Sequence, residues 1–244
     1  MSKSSIKDIL QETKHRPYAL PPGRWVYYQE WNRAIFLHWK VPVGTLRKCV
    51  PQALNLDTFE GDAYISLVAF TMEQIRPRYL PAVSLVSDFH EINLRTYIDN
   101  DERKGVYFLN IEAAKQLSVF MAKTLSGLPY EKSSIQRTDH QYQSSNGKKG
   151  FSLHCDYAVK GKLSDKSTLD QWLTERYCLY LDEGESVYRY DIHHKEWELH
   201  DMGIKHLDVD YQLGDLTLSA EPDAVHYSDG VQVLAWNRAE VHSM

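Results

Sequence analysis

The segment D-F-H-E-I-N-L-R-T-Y-I-D (88–99) alternates apolar and polar residues with period two, the signature of a β-strand. Ile92, Leu94, Thr96 and Ile98 face one way, and Glu91, Asn93, Arg95 and Tyr97 face the other. Alternate strand residues lie ~7 Å apart, so these polar groups can act on one another. A carboxylate and a phenol there can move a proton, and a guanidinium can hold an anion. Either this face meets solvent or it lines a cavity, and Asn110 and Glu112 on the next strand could share it. Arg76 and Arg78 flank Pro77 in a proline-braced loop, E-Q-I-R-P-R-Y-L-P-A-V-S (73–84), where a stiff pair of guanidinium forks suits a carboxylate or phosphate. An ordinary solvated loop is the alternative. Tyr130 and Lys132 point the same way if 130–136 is extended.

The eleven histidines are poorly spaced for metal. His193 and His194 are adjacent, so on a strand they face apart. His90-Glu91 lacks a second histidine four residues on, and no metal site is expected. There is no G-x-S-x-G, P-loop or G-x-G-x-x-G, so the sequence gives no support to a serine hydrolase, an NTPase or a dinucleotide-binding enzyme, and no cofactor is expected.

The elements that must position these groups are mostly strands. Of 244 residues, 12% are Phe, Trp or Tyr, and large rings favour pleated, half-buried surfaces. Residues 25–31 and 34–41 read as a strand pair or one bulged strand. Residues 54–72 read as two strands around Glu60-Gly61-Asp62, with Tyr64, Ser66, Val68 and Phe70 on one face of the second. Residues 88–112 form a hairpin. The stretch 112–127 has the best helical period, with Ala113, Leu117, Phe120, Met121 and Leu125 on one side and Gly127 as cap, which predicts one packed helix over about 112–126. Short helices are expected at 4–14, 43–50 and 168–174. Many strands and no βαβ alternation exclude doubly wound and TIM-type folds.

Composition bounds the setting. The net charge of −5 gives no reason to expect nucleic acid or an anionic membrane as partner. No apolar run reaches 18 residues, and the charged N-terminus is unlike a signal peptide. Cys49, Cys155 and Cys178 are scattered and odd in number, and no glycosylation sequon occurs; together these point to the cytoplasm. One domain over 1–244 is expected, with 1–16 as a helical extension of a unit spanning 17–244.

The order of motifs then resembles a known family. W-K-V-P-V-G-T-L-R-K-C-V-P-Q-A-L-N-L-D (39–57) and the strand, acidic turn, strand, helix and Gly-x-Pro of 88–130 resemble acetoacetate decarboxylases. LDTFEGDAYISLVAFTM, IRPRYLPA, SDFHEINLRTYID and GLPYEKS resemble the YqjF-like uncharacterised family of that superfamily, over most of the chain after residue 16. WLTERYCLY (172–180) and HYSDGVQVLAW (226–236) extend the match. The resemblance implies a mainly β fold: an antiparallel barrel or cone around an apolar cavity. The decarboxylases use a buried lysine that must be neutral to form a Schiff base. Here Tyr130 and Glu131 stand where that branch keeps two lysines, and a phenol cannot form an imine. The resemblance therefore implies a retained cavity with changed chemistry. For Lys132 two readings stay open, a shifted amine nucleophile and an exposed strand-entry lysine. It places Arg76 and Arg78 over the cavity and the family's arginine near Asn32 or Arg33. The expected ligand is a small organic carboxylate or carbonyl compound. Arg76, Arg78, Arg95 and Asn93 would bind it, and Glu91 or Tyr130 would transfer protons. Three readings stay open: an enzyme, a non-catalytic binder, and a homo-oligomeric structural protein whose aromatic strands form an interface.

Overall fold

A computed structural model describes residues 3–83, 87–100, 103–114, 130–183, 186–219 and 221–241. The predicted helix falls almost wholly outside these residues. Its first two positions, Glu112 and Ala113, are strand.

One 14-stranded sheet organises the chain. Strand β1 (Tyr27–Val41) is a single bulged strand; its register slips between Asn32 and Ile35, where Arg33 takes a positive φ of 54°. It pairs with β2 (Ala63–Pro77), which pairs with β3 (Phe89–Asn100), which pairs with β4 (Arg103–Ala113). The first strand expected in 54–72 is absent, because residues 54–62 only bridge Leu56 to Ile98 and turn at Glu60 and Gly61. Conversely, β2 runs through Pro77 into the expected loop, with the proline at its last position, where no onward ladder donor is needed.

Strands β9 (Cys178–Glu183), β10 (Ser186–His193) and β13 (Ala224–Ala235) close a ring. β9 joins β4, β10 joins β9, β13 joins β1, and the seam is the short pairing of Ile192 and His193 with Ala235 and Leu234. The barrel is mostly antiparallel. The pairings of β4 with β9 and with β5 (Tyr130–Lys132) are parallel.

Five further strands form a second layer. Strands β6 (Ser134–Arg137), β7 (Gln141–Asn146), β8 (Phe151–Lys162) and β11 (His200–Leu213), with β12 (Leu216–Leu218) on its edge, pack on the outer face of β1–β3. Ile35 and Leu37, Ile65 and Leu67, and Ile92 and Leu94 meet Tyr142, Leu153, Tyr157 and Tyr211 there. The opposite residues, Phe36, Val68 and Phe70, face the barrel interior with Trp197. Burial on both faces explains why β2 reads as apolar on nearly every position.

Among the described residues, three short helices flank the strands. α1 (Ile6–Gln11) and α3 (Thr168–Thr174) each start with a capping box, Ser5/Asp8 and Ser167/Asp170. α2 (Val43–Arg47) follows Pro42. Among the described residues, no helix is long and apolar enough to cross a membrane.

Candidate functional site

Strand β3 carries its polar stripe into the ring. Glu91, Asn93 and Arg95 line a cavity of ≈ 560 Å³ together with Tyr130 of β5 and Arg176, which follows α3. The rest of the wall is largely apolar and aromatic, including Trp31, Phe36, Phe70 and Trp197. The exposed ion pair Arg238–Glu183, at 2.7 Å, stands on its rim.

Glu91 accepts a hydrogen bond from the Tyr130 hydroxyl at 2.8 Å. Burial pushes its carboxyl from the ordinary 4.5 up to about 7, with the Tyr130 and Asn93 hydrogen bonds partly opposing. Its backbone carbonyl is held from outside by the Tyr142 hydroxyl at 2.9 Å. Tyr130 is itself pushed well above the ordinary phenol value, by burial first and by the Glu91 charge second. At neutral pH the pair thus holds a carboxyl that can either give or take a proton beside a neutral phenol.

Arg95 is the unusual charge. It is 8% exposed, has no carboxylate within ion-pair distance among the described residues, and its Nε has no hydrogen-bond partner. One Nη donates to the Leu173 carbonyl at 3.4 Å, and the guanidinium lies 5.8 Å from the Phe36 ring centroid. Burial pushes its pKa down, yet guanidinium remains cationic in proteins. Arg176 is the contrast: it pairs with Asp57 at 2.7 Å and covers the rings of Trp172 and Tyr97.

Below Arg95 runs a buried chain of hydrogen bonds. Tyr97 Oη lies 2.5 Å from Ser66 Oγ, Ser66 Oγ lies 2.6 Å from His38 Nδ1, His38 Nε2 lies 3.2 Å from His226 Nδ1, and His226 Nε2 lies 2.8 Å from the Asp170 carboxylate. Burial and then His226 depress His38 well below its ordinary value. Tyr97 also donates to Leu173 O at 2.9 Å, the same carbonyl that holds Arg95. The chain ties α3 to β1, β2, β3 and β13, and Arg95 shares the Leu173 carbonyl with Tyr97.

Four of the seven residues singled out by sequence therefore meet in one cavity: Glu91, Asn93, Arg95 and Tyr130. Arg76 and Arg78 do not line it. Arg76 lies on the Tyr28 ring at 4.3 Å and Arg78 on the Trp25 ring at 4.9 Å, in the cluster that also holds Ile9 of α1. Each guanidinium rests on an aromatic face away from the cavity lining. Lys132 is exposed at the end of β5, outside the cavity lining. Asn32 and Arg33 sit at the β1 bulge, bonded to Glu73 (2.6 Å) and Thr71 (3.1 Å). Asn110 and Glu112 face the second layer, opposite Glu91: their register partners are Leu94 and Ile92, which point outward. Arg176 and the chain beyond Tyr97, from Ser66 through His38 and His226 to Asp170, were not singled out from sequence. Asp57 is 119 positions from Arg176, and nothing local joins them. The register does hold a signal, since His38 pairs with Ser66 and Ser66 with Arg95, a row of polar residues across three strands that breaks the apolar inward faces of β1 and β2 beside Phe36 and Val68. Among the described residues, no three His, Cys, Asp or Glu side chains form a metal-ligating group.

This architecture has solved counterparts. The enduracididine biosynthesis enzyme MppR complexed with pyruvate superposes with a TM-score of 0.63 at 12% identity, covering 93% of this chain and 94% of that one. An acetoacetate decarboxylase-like enzyme from Sphingomonas wittichii RW1 gives 0.60 at 13% identity, over 92% and 98%. Acetoacetate decarboxylase from Legionella pneumophila gives 0.59 at 11%, over 99% and 98%. At such identities the shared property is the acetoacetate-decarboxylase-like fold. In sequence the chain is 34% identical over 237 residues to the uncharacterized protein YqjF of Bacillus subtilis (strain 168), covering 93% of this chain and 98% of that protein. The sequence profile of the uncharacterized conserved proteins grouped as DUF2071 matches residues 28–232, which takes in every ring strand of the barrel up to Gln232 and every cavity residue discussed above except the rim arginine, and the chain belongs to that family.

Proposed function

We propose that the barrel holds a small organic carboxylate or carbonyl compound, with Arg95 as its anion anchor and Glu91–Tyr130 as a proton-transfer pair. The observation that carries this reading is the Arg95 guanidinium, buried against an aromatic ring in the cavity and without a carboxylate partner among the described residues. An unpaired buried charge is costly, and a bound anion relieves the cost. Asn93 hydrogen-bonds Glu91 and so orients the carboxyl for the exchange. A fold that holds pyruvate in one solved counterpart supports a keto acid as one such compound.

Schiff-base decarboxylation is not part of this reading. Tyr130 fills the position where the resemblance puts the amine, and Lys132 is exposed outside the cavity. Borohydride reduction in the presence of pyruvate tests that exclusion, and a covalent adduct on Lys132 overturns it.

The deciding experiment is calorimetric titration with monocarboxylates and with the matching neutral alcohols. The expected result is that carboxylates bind, alcohols do not, and Arg95→Gln weakens binding by about 10- to 100-fold, the loss of one charge-assisted interaction. Equal binding to wild type and Arg95→Gln sinks the assignment. Proton exchange at the carbons next to the carbonyl of a bound long-chain keto acid, whose carbonyl lies at the end away from its carboxylate, is followed by NMR in deuterated water and separates an enzyme from a passive container: exchange that vanishes in Glu91→Gln marks the pair as catalytic.

A further inference from the structure

Resting on that reading, the spacing of its two ends points to a long ligand. We infer that the compound is a monocarboxylate bearing an aryl group or an extended alkyl chain, with its anion at Arg95 and its apolar body reaching towards Glu91.

Arg95 and Glu91 are four positions apart on one face of β3, which places their backbones ~13 Å apart. The Arg95 side chain does not lean back to close that gap. It reaches the Leu173 carbonyl, the acceptor that Tyr97 also uses, and Tyr97 lies further from Glu91 along the strand. An aromatic wall runs between the two polar ends. Phe36 lies under Arg95 at 5.8 Å and packs edge-on against Trp197 at 5.1 Å. Trp197 lies 6.4 Å from Trp31, and Trp31 lies 5.7 Å from Phe70. Phe70 is the register partner of Glu91, so the row of rings begins at the arginine and ends at the carboxyl.

Size agrees with spacing. The cavity of ≈ 560 Å³ is in the range that holds drug-sized ligands. The six non-hydrogen atoms of pyruvate, at about 30 Å³ each as in liquid water, fill roughly a third of it. A ligand of that size touches one polar end and leaves the ring wall bare. A flat ring or alkyl chain covers the wall and gains the transfer free energy of its apolar surface.

The test is a length series on the intact protein: pyruvate, phenylacetate, 4-phenylbutanoate and 6-phenylhexanoate. Binding is read by calorimetry and by tryptophan fluorescence, since Trp31 and Trp197 line the cavity. The expected result is affinity that rises by up to roughly fourfold per added methylene and levels off once the ring reaches the Glu91 end. Trp31→Leu, with Phe70→Leu as a milder second variant, should flatten the series. A series already flat in wild type, with pyruvate still dependent on Arg95, overturns the long ligand but leaves the anion site standing. Binding of every member without dependence on Arg95 overturns both.

Discussion

Glu91 and Glu112 lie on adjacent strands of one hairpin, both are at most 3% exposed, and each accepts a hydrogen bond from a tyrosine hydroxyl. Burial pushes both carboxyls up. They point to opposite faces of the sheet. Glu112 faces the second layer, where Ser133, Tyr211 (3.1 Å) and Asn110 (2.8 Å) all donate to it. Glu91 faces the cavity, with Tyr130 and Asn93 as its neighbours and open volume beside it. Burial and a raised pKa are thus shared by a structural carboxyl and a candidate catalytic one. What separates them is whether protein donors already occupy the space around the oxygens.

The largest effect that can break this contrast is on stability. Glu112→Ala strips the acceptor from three buried donors, and leaving such groups unpaired costs about 4 kcal/mol in all. Glu91→Gln keeps shape and hydrogen bonding and should cost under about 1 kcal/mol at pH 7. Urea unfolding of both variants measures the difference, and equal losses would erase the distinction between the two faces.

The next effect, about 3 kcal/mol, is a pH dependence that belongs to Glu91. Its folded pKa of about 7 lies above the ordinary 4.5. Between those values the folded chain holds a proton that the unfolded chain releases, so stability falls as pH rises through this window and levels off above about 7. Unfolding free energy followed from pH 4.5 to 8 should show this fall as the difference between wild type and Glu91→Gln. The slope left in Glu91→Gln belongs to Glu112, whose carboxyl is raised in the same direction, and to the buried His38, His193, His194 and His226, whose lowered values make stability rise with pH.

The contrast also marks what the sequence could and could not say. Period-two alternation was enough to put Glu91, Asn93 and Arg95 on one face, because a strand's side chains have no other freedom. It was not enough to place Glu112, whose face depends on register against β3 and on a bulge where Leu94 and Arg95 meet Asn110 and Phe108. Register is set by pairing, and pairing is non-local. Arg76 and Arg78 misled for the same reason. A stiff arginine pair has the composition of an anion site, but Tyr28 and Trp25 come up beneath it only when β1 is laid alongside β2. The ring itself was legible as strands without βαβ alternation. Its closure through Ile192 and Ala235 has no local signal.

A third effect, about 2 kcal/mol, runs in the opposite direction. If the cavity face keeps charge for a ligand, removing that charge should help the empty protein. Arg95→Met replaces an unpaired buried guanidinium by an apolar chain of similar length and should raise unfolding free energy by about 2 kcal/mol while abolishing carboxylate binding. The same change at Arg176 leaves Asp57 without its buried partner and should destabilise the protein. A loss of stability in Arg95→Met would mean that the protein itself uses the charge.

The smallest effect is also the closest match between the two faces, because each carboxyl has one tyrosine to remove. Tyr130→Phe deletes the 2.8 Å hydrogen bond to Glu91, and Tyr211→Phe deletes the 3.1 Å hydrogen bond to Glu112. A donor favours the ionised carboxylate, so its loss raises the carboxyl pKa further, by about one unit for a bond to a charged group. Glu112 keeps Ser133 and Asn110 after the loss of Tyr211, whereas Glu91 keeps Asn93 and the cavity. The stability cost of each variant should be about 1 kcal/mol. The difference should appear on adding a carboxylate that binds: difference infrared spectroscopy should show the Glu91 carboxyl changing its ionisation in wild type and in Tyr211→Phe. In Tyr130→Phe that response should move to higher pH. If ligand instead perturbs the Glu112 carboxyl, the functional face of the hairpin has been assigned to the wrong side.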